Sequence, residues 1–327
     1  MRKFLLVLHL CVNCLILFST AAHADMQFEY KMHDTGVVIT KFSFDGDTEI
    51  AELPNYIDGL PVTAIGKYAF SSLNTPFCVV NKLVLPNTLI ELQEGALHQM
   101  SAKVMEVQIP ASLLNIDDYA FSGTMTTIIL PDDHSAFYKK DGFLIEKKSQ
   151  KAICCDADKQ NEASIVIPEG IKVLGASLFY SWMRVEKIVL PKSLLDIQEY
   201  AFAGCISLSQ IVFHEEVRSI GNGAFRECSE LSELYLPLEL IYIGDECFMG
   251  CSKLTTLRCP NKLKVIGSSA FEQIDLVSDE GLHELEFNEG LLYIGERAFY
   301  KNQLTRLDLP YSVSYIGEDA FAENPLK

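Results

Sequence analysis

Apolar residues alternate with other residues in short stretches along the chain, and most of these stretches end at a proline. Leu234 and Leu236, for example, flank Tyr235 just before Pro237. Such alternation predicts a short strand with one buried face, and proline marks its end because it cannot donate a hydrogen bond to a sheet. The ends of nine such strands are Pro86, Pro110, Pro168, Pro191, His214, Pro237, Pro260, Asn288 and Pro310.

A second apolar pattern, I-G-x-x-A-F, follows these strands at a fixed distance. Complete copies occupy residues 65–70, 220–225, 266–271, 294–299 and 316–321, and looser copies end at Leu97, Phe121, Phe179, Phe202 and Phe248. In nine coils the last motif position lies 11 residues after the strand end, and from Phe179 to Phe271 the step is 23 residues four times running. A repeat of this length predicts a solenoid, in which each coil buries its apolar face against its neighbours.

The residue types of the motif suit stacked coils. Phenylalanine and isoleucine are expected to point inward, and alanine fits a tight place between coils. Glycine at the second position, present in seven copies, permits a turn that a Cβ atom would strain. Cys205, Cys228 and Cys251 each follow a motif phenylalanine by three residues. They are either packed thiols or disulfide partners in an exported protein, and the repeat spacing favours packed thiols.

Two regions depart from the repeat. Apolar stretches at residues 28–30 and 37–44 indicate a hairpin, so residues 25–60 are predicted to form an N-terminal β cap over the first coil. Residues 132–163 interrupt the array, and the Lys-Asp-Gly sequence at 140–142 is a turn signal between two apolar stretches. We therefore predict a β-hairpin-like excursion there, inside a solenoid that spans residues 61–327.

Residues 1–24 have the features of a secretory signal peptide. Arg2 and Lys3 precede an apolar run from Phe4 to Phe18, and Ala22 and Ala24 provide a small-x-small cleavage site. A membrane anchor is the alternative, but the run is shorter than the ~20 residues that a membrane-spanning helix needs. We expect cleavage after Ala24, export to the medium or the cell surface, and no membrane span in the mature chain.

Charge narrows the range of partners. The sequence carries 27 basic and 44 acidic residues, a net charge of −17, and loss of Arg2 and Lys3 with the signal peptide changes it to −19. An acidic protein is a poor ligand for nucleic acids and anionic membranes. The charge therefore argues against both as partners and is compatible with neutral or basic ligands.

The repeat resembles that of the BspA-like leucine-rich-repeat proteins of bacterial surfaces. The resemblance covers residues 37–324 and rests on the I-G-x-x-A-F series, the Leu-Pro strand ends, the cysteine after the phenylalanine and the opening stretch at 57–62. It implies surface exposure, adhesion or ligand binding, and no shared catalytic residues. The predicted fold is a β-rich leucine-rich-repeat solenoid, a curved right-handed array of about ten coils. Each coil has one parallel strand plus short turns or helical turns.

No set of residues has the spacing of a catalytic or metal site. Five histidines follow the signal peptide, and none is spaced as a zinc ligand with another histidine or with paired cysteines. His214 takes a proline position and is expected to be structural. Cys154 and Cys155 are a vicinal pair, which suits either a redox or soft-metal site or two strand residues of the excursion. We predict a protein that is not an enzyme and needs no cofactor or metal.

The side chains two residues before each strand end form the candidate binding surface, because alternate strand residues point out of a sheet. In coil order they are Val84, Gln108, Ile129, Val166, Val189, Val212, Tyr235, Arg258, Glu286 and Asp308. The row is apolar from Ile129 to Tyr235 and charged beyond it. An exposed apolar stripe suits partner binding. The alternative is that the valines and the isoleucine are present only because β-branched residues favour strands.

These features predict an exported, non-catalytic binding or adhesion module for a protein or glycan ligand. The candidate ligand-binding residues are Ile129, Val166, Val189, Val212, Tyr235 and Arg258. A structural scaffold, or an accessory partner of a separately encoded surface complex, is the alternative. A ligand whose capture depends on the row would distinguish the two.

Overall fold

The computed structural model describes residues 15–19, 26–44, 46–70, 79–98, 103–124, 126–274 and 280–327. The chain divides into two units, Met1–Ala120 and Phe121–Lys327. In each unit short parallel strands stack coil on coil, and the described residues contain no α-helix. The leucine-rich-repeat solenoid predicted from the sequence is thereby confirmed.

The first unit starts with an antiparallel hairpin. Its strands are β1 Leu15–Ser19, β2 Met26–His33, β3 Gly36–Phe44, β4 Thr48–Glu52, β5 Tyr56–Ile57, β6 Leu60–Ile65, β7 Val79–Val84, β8 Glu91–Leu92, β9 Lys103–Gln108 and β10 Asn115–Ile116. Strands β1, β2 and β3 pair antiparallel, and β3 then pairs in parallel with β6, followed by β8 and β10. Strands β4, β7 and β9 form a second parallel ladder.

The hairpin expected within the N-terminal cap is the β2–β3 pair. Tyr30 fixes it to the first coil, because its hydroxyl donates to Asp58 Oδ2 over 2.8 Å. Of the predicted signal peptide only β1 lies among the described residues, and the rest of residues 1–24 lies outside them. Cleavage and the domain boundaries at residues 24 and 60 stay predictions.

The second unit contains two parallel ladders. Its strands are β11 Thr127–Ile129, β12 Phe137–Lys140, β13 Phe143–Glu146, β14 Lys151–Cys155, β15 Ser164–Val166, β16 Val173–Leu174, β17 Lys187–Val189, β18 Asp196–Ile197, β19 Gln210–Val212, β20 Ser219–Ile220, β21 Tyr242–Ile243, β22 Thr256–Arg258, β23 Val265–Ile266, β24 Glu284–Glu286, β25 Tyr293–Ile294 and β26 Tyr315–Ile316. Strands β15, β17 and β19 form one sheet, and β22 and β24 form another. Both sheets lie at the apolar stretches before the strand ends, and we call them together the three-residue ladder. A two-residue ladder, from β16 to β26, lies at the start of each I-G motif. The sequence pattern predicts the first ladder but does not single out the second.

The excursion is a three-stranded antiparallel sheet of β12, β13 and β14, which joins the two-residue ladder through β16. Its first turn lies at Asp141 and Gly142, which have φ angles of 49° and 83°, and a short 3-10 helix, Ala157–Asn161, follows β14. The buried Asp156 holds the region together, since it accepts hydrogen bonds from Lys139 Nζ at 2.7 Å and from the Ile128 amide at 3.0 Å.

Stacked phenylalanine rings form the centre of the second unit. Successive ring centroids are 4.9–5.4 Å apart, and the ring planes differ by 0–17°. The stacked residues are Phe179, Phe202, Phe225, Phe248, Phe271, Phe299 and Phe321. The motif phenylalanines therefore point inward and pack on their equivalents, as the repeat predicts.

The motif glycine is required by the closeness of the coils and not by its own turn. A Cβ atom on Gly267 would lie 2.5 Å from the amide nitrogen of Asp245 in the preceding coil, and one on Gly295 would lie 2.4 Å from that of Ser268. Neither glycine has a positive φ. Gln93, Asp117 and Gln198 take the place of this glycine in three motifs, so the turn does not strictly demand a positive φ. Where glycine is present, backbone-to-backbone contact between coils, and not strain in the turn, is the reason for it.

The left-handed backbone conformation occurs at the fourth motif position instead. In all ten motifs this residue has a φ between 50° and 62°. The residues are Tyr68, Gly95, Tyr119, Ser177, Tyr200, Gly223, Glu246, Ser269, Arg297 and Asp319. In eight of the ten motifs the amide of this residue donates to a carbonyl of the next coil, as when the Glu246 amide donates to Ser268 O over 2.7 Å. These bonds between coils offset the cost of the conformation in residues that carry a Cβ.

Seven of the eight cysteines that follow the signal peptide are free thiols in the structure, and Cys78 lies outside the described residues. The Cys205, Cys228 and Cys251 thiols each donate over 3.2 Å to the carbonyl of a phenylalanine in the preceding coil. The side-chain amide of Asn302 makes the equivalent bond to Phe271 O at 2.8 Å. In these four coils the repeat position carries a buried hydrogen-bond donor, which accounts for the 23-residue cysteine spacing.

Candidate binding surface

Three valines lie side by side on the exposed face of the three-residue ladder. Val166 is the ladder partner of Val189, which is the partner of Val212, and neighbouring strands lie about 4.8 Å apart. Their side chains are 63%, 39% and 62% exposed. Ile165, Ile188 and Ile211, which directly precede the three valines in their strands, point into the core. The alternation in the sequence thus predicts correctly which residues of these strands face outward.

Tyr235 extends the valines by one coil. Glu233, two residues earlier, bridges in parallel to Gln210 of β19, which keeps the coil in register although it forms no regular strand. The Tyr235 side chain is 74% exposed. We call Val166, Val189, Val212 and Tyr235 the valine–tyrosine row.

Ile129 does not belong to this row. Its strand, β11, is not part of the β15–β17–β19 sheet, and its side chain is half-buried. The excursion of β12 to β14 separates Ile129 from Val166 along the chain. The stripe that the sequence predicts from Ile129 to Tyr235 is therefore shorter by one member, because equal distance from a strand end does not make two strands neighbours.

The equivalent outward positions beyond Tyr235 carry charged residues, and their side chains form ion pairs. Arg258 Nε lies 3.1 Å from Glu286 Oε2, its ladder partner, and Arg306 lies 2.5 Å from Asp308 Oδ2. All four side chains are largely exposed, so the pairs stabilise the fold by at most about 1 kcal/mol each. Arg258, a candidate ligand-binding residue, is thus already engaged with a carboxylate.

Polar side chains line one flank of the valine–tyrosine row and were not among the candidate residues. They occupy the outward position two residues earlier in each coil: Ser164, Lys187, Gln210 and Glu233. The same alternation that predicts the row could have identified them. A partner seated on the row would meet an apolar centre with a mixed polar edge.

A second set of exposed apolar side chains lies on the two-residue ladder. The rings of Tyr293 and Tyr315 stack with centroids 4.7 Å apart, and Leu292 and Ile316 beside them are also exposed. Sequence reasoning missed this set because a two-residue strand shows no alternation. Ile316 is exposed although Ile294, its counterpart in the preceding coil, is fully buried.

The other sequence candidates have structural roles. Cys154 and Cys155 lie buried in β14, and burial raises the pKa of both thiols above the usual range, which disfavours the reactive thiolate. His214 Nε2 lies 3.0 Å from Leu190 O, so the ring fills the proline position by bonding to the preceding coil. Among the described residues, no group of three or more His, Cys, Asp and Glu side chains could hold a metal ion.

The repeat matches a known family model over most of the chain. The model for the BspA type leucine-rich repeat region matches residues 33–141, 157–278 and 276–327, with six copies. The chain belongs to the BspA-type leucine-rich repeat family. No curated protein matches this BspA-type chain.

Solved structures share the fold at low sequence identity. A leucine-rich repeat protein from Eubacterium ventriosum is 15% identical, with a TM-score of 0.51, over 96% of both chains. The pneumococcal vaccine antigen PcpA is 16% identical, with a TM-score of 0.42, over 92% of this chain and 93% of that one. A leucine-rich cell surface protein from Faecalibacterium prausnitzii is 16% identical, with a TM-score of 0.39, over 94% and 86%. The first of these supports the repeat fold of the BspA-type chain.

In the part of the BspA-type chain that the structure describes, no helix has both the length and the apolar character needed to cross a bilayer.

Proposed function

We propose that this BspA-type protein is exported to the cell surface or the medium, where it acts as a non-catalytic binding or adhesion protein. Its partner contacts the valine–tyrosine row. The observation that carries the proposal is the row itself, an apolar and exposed set of side chains in register on hydrogen-bonded strands. Exposed apolar patches of this kind mark interaction surfaces.

The ladder suits recognition because its side chains are already in position. Each valine lies on a strand that is hydrogen-bonded to the strand of a neighbouring coil. The backbone is therefore already fixed, and little conformational entropy is lost when a partner binds. Burial of apolar surface contributes about 25 cal/mol per Å². Tyr235 is the expected anchor, since tyrosine supplies a large contact area and a hydroxyl and is enriched at binding hot spots.

A protein partner fits the row better than a glycan does. The three valine side chains have no hydrogen-bonding group, so they cannot bind the hydroxyls of a sugar. Apolar side chains of another protein would pack on them, and the flanking Lys187, Gln210 and Glu233 offer polar contacts at the rim. This division into an apolar centre and a polar rim is typical of protein interfaces.

Changes in the row are expected to weaken ligand capture by at least about tenfold, which corresponds to ~1.4 kcal/mol. The variants are Tyr235→Ala, which removes the anchor, and Val189→Glu, which places a charge in the apolar centre. Proteins captured from the extracellular medium would be identified by mass spectrometry, and their affinity for each variant measured. The unfolding midpoint of both variants should stay close to that of the wild type, because both side chains are exposed.

Matched controls separate the row from general surface effects. Leu238→Glu and Tyr311→Ala make the same chemical changes at exposed positions outside the row and should leave capture unchanged. A further variant changes Asp275 and Asp279, in a segment outside the described residues. If that variant abolishes capture while Tyr235→Ala and Val189→Glu bind normally, the ligand is recognised through Asp275 and Asp279 and not through the row.

Export predicts a defined mature N-terminus. The exported protein should begin at Asp25, because Ala22 and Ala24 form the cleavage pattern after the apolar run. N-terminal sequencing and intact mass of the exported material measure this directly. A membrane-embedded product that retains Met1 would instead establish residues 1–24 as an anchor.

A further inference from the structure

Strand β2 lies between β1 and β3 at one edge of its sheet. β1 pairs antiparallel with Met26–Tyr30 of β2, from Leu15 opposite Tyr30 to Ser19 opposite Met26. β1 lies wholly inside residues 1–24, whereas β2 begins beyond the predicted cleavage site. Removal of the signal peptide therefore leaves β2 as the edge strand, with backbone N–H and C=O groups that had bonded to β1. The structure itself shows that this edge accepts an antiparallel strand.

We propose that in the mature protein this edge pairs with the same edge of a second copy, so that two β2 strands lie antiparallel about a two-fold axis at Tyr30. The inference rests on the removal of residues 1–24 and is independent of the valine–tyrosine row. Unpaired strand edges readily pair with other strands unless they are blocked, and a two-fold contact brings the same surface of both copies together.

The sequence of β2 is complementary to itself in this arrangement. With Tyr30 opposite Tyr30, Glu29 lies opposite Lys31 of the other copy, and Lys31 opposite its Glu29. Phe28 then lies opposite Met32, so apolar residues meet on the face where Phe28 and Tyr30 are buried. Oppositely charged and apolar pairs that face each other across an antiparallel pair stabilise it, and like charges destabilise it.

The neighbouring registers lack this complementarity. A slip of two residues in one direction places Glu29 opposite Glu29, and the same slip in the other direction places Lys31 opposite Lys31. A slip of only one residue, in either direction, sets the buried face with Phe28 against the charged face with Glu29, because it reverses the side of every residue. Charge and burial together therefore select the register centred on Tyr30.

The test is a charge-swap series on the exported, processed protein, with self-association measured by sedimentation velocity over a range of concentrations. Wild-type protein should form a dimer in a concentration-dependent manner, because a single strand pair makes a small interface. Lys31→Glu should weaken the dimer by about tenfold or more, since the two-fold axis creates two like-charge pairs at once. The double variant Glu29→Lys/Lys31→Glu should restore it.

The series also contains its own folding control. Lys31 is exposed, whereas Glu29 lies 3.7 Å from Lys41 of β3, so Lys31→Glu is the cleaner single change. Its circular dichroism and unfolding midpoint should match the wild type.

A processed protein that is monomeric at all concentrations overturns the proposal. A dimer that is unaffected by Lys31→Glu, or a double variant that fails to recover, also overturns it. So does an exported chain that retains β1, because the edge of β2 is then filled. Normal ligand capture by a monomeric Lys31→Glu variant would leave the role of the valine–tyrosine row intact, so the two proposals fail separately.

Discussion

Phe225→Ala is expected to lower the free energy of unfolding by about 3–5 kcal/mol, the range for large truncations in a core. The Phe225 ring is fully buried and lies between the rings of Phe202 and Phe248, at centroid distances of 4.9 and 5.2 Å. Phe213 meets its edge at 5.8 Å. Loss of the ring leaves a cavity that regular stacking on both sides prevents from collapsing. Urea titration followed by circular dichroism measures the change.

Glu216→Ala provides the control for this change. Glu216 is exposed in the turn that follows β19, in the same coil as Phe225. Loss of its side chain should lower the free energy of unfolding by under about 0.5 kcal/mol. From the sequence Asn222 is also a solvent-facing turn residue, but the structure shows that it would be a poor control. Its Oδ1 accepts a hydrogen bond from the Asp245 amide in the next coil over 2.9 Å. Equal unfolding midpoints for Phe225→Ala and Glu216→Ala would mean that the assigned repeat register is wrong.

Gly267→Ala should destabilise the protein by about 1–3 kcal/mol, as overpacked sites do. The new Cβ would lie 2.5 Å from two backbone atoms, Asp245 N and Gly244 C. Because these are main-chain atoms held by the Gly267 N–H bond to Ile243 O at 2.9 Å, no side-chain rotation relieves the clash. Two coils must move apart, so the change should lie near the upper end of the range. The unfolding midpoint in urea again measures it.

Gly46→Ala makes the same substitution where there is room. A Cβ atom at Gly46 would meet nothing within 4 Å, and its backbone has no positive φ. This variant should be neutral or stabilised by up to about 1 kcal/mol, because alanine restricts the unfolded chain. Loss of stability in Gly46→Ala equal to that in Gly267→Ala would show that a general glycine effect, and not contact between coils, is responsible.

The stacked coils could be predicted from the sequence because their determinants recur. Phe202, Phe225 and Phe248 each lie 11 residues after a strand end, and only a constant path from strand to ring lets the rings stack. The second ladder could not be predicted, since Val265 and Ile266 are too few residues to show a period. The left-handed position was hidden because Tyr200, Glu246 and Arg297 share no chemistry. Bonds between coils impose their conformation, and the side chain does not.

The candidate surface was predictable only within an uninterrupted run of coils. Alternation identifies Val166, Val189 and Val212 as outward-facing, since side-chain direction is a local property of a strand. Whether Ile129 continues their row depends on which strand becomes the neighbour after the excursion, and a residue offset does not contain that information. The ion pair of Arg258 with Glu286 was likewise not anticipated, although both lie at the predicted outward position.

The constant 23-residue step from Phe179 to Phe271 makes each coil in that stretch interchangeable with the next as a segment of the gene. An in-frame duplication or deletion of one such segment reconnects equivalent backbone positions, so both ladders and the phenylalanine stack continue without a new core having to form. The valine–tyrosine row would grow or shrink by one strand spacing in the same event. Unequal recombination between coils can thus alter the length of this surface in a single generation, whereas a globular domain would need many compensating substitutions to do the same.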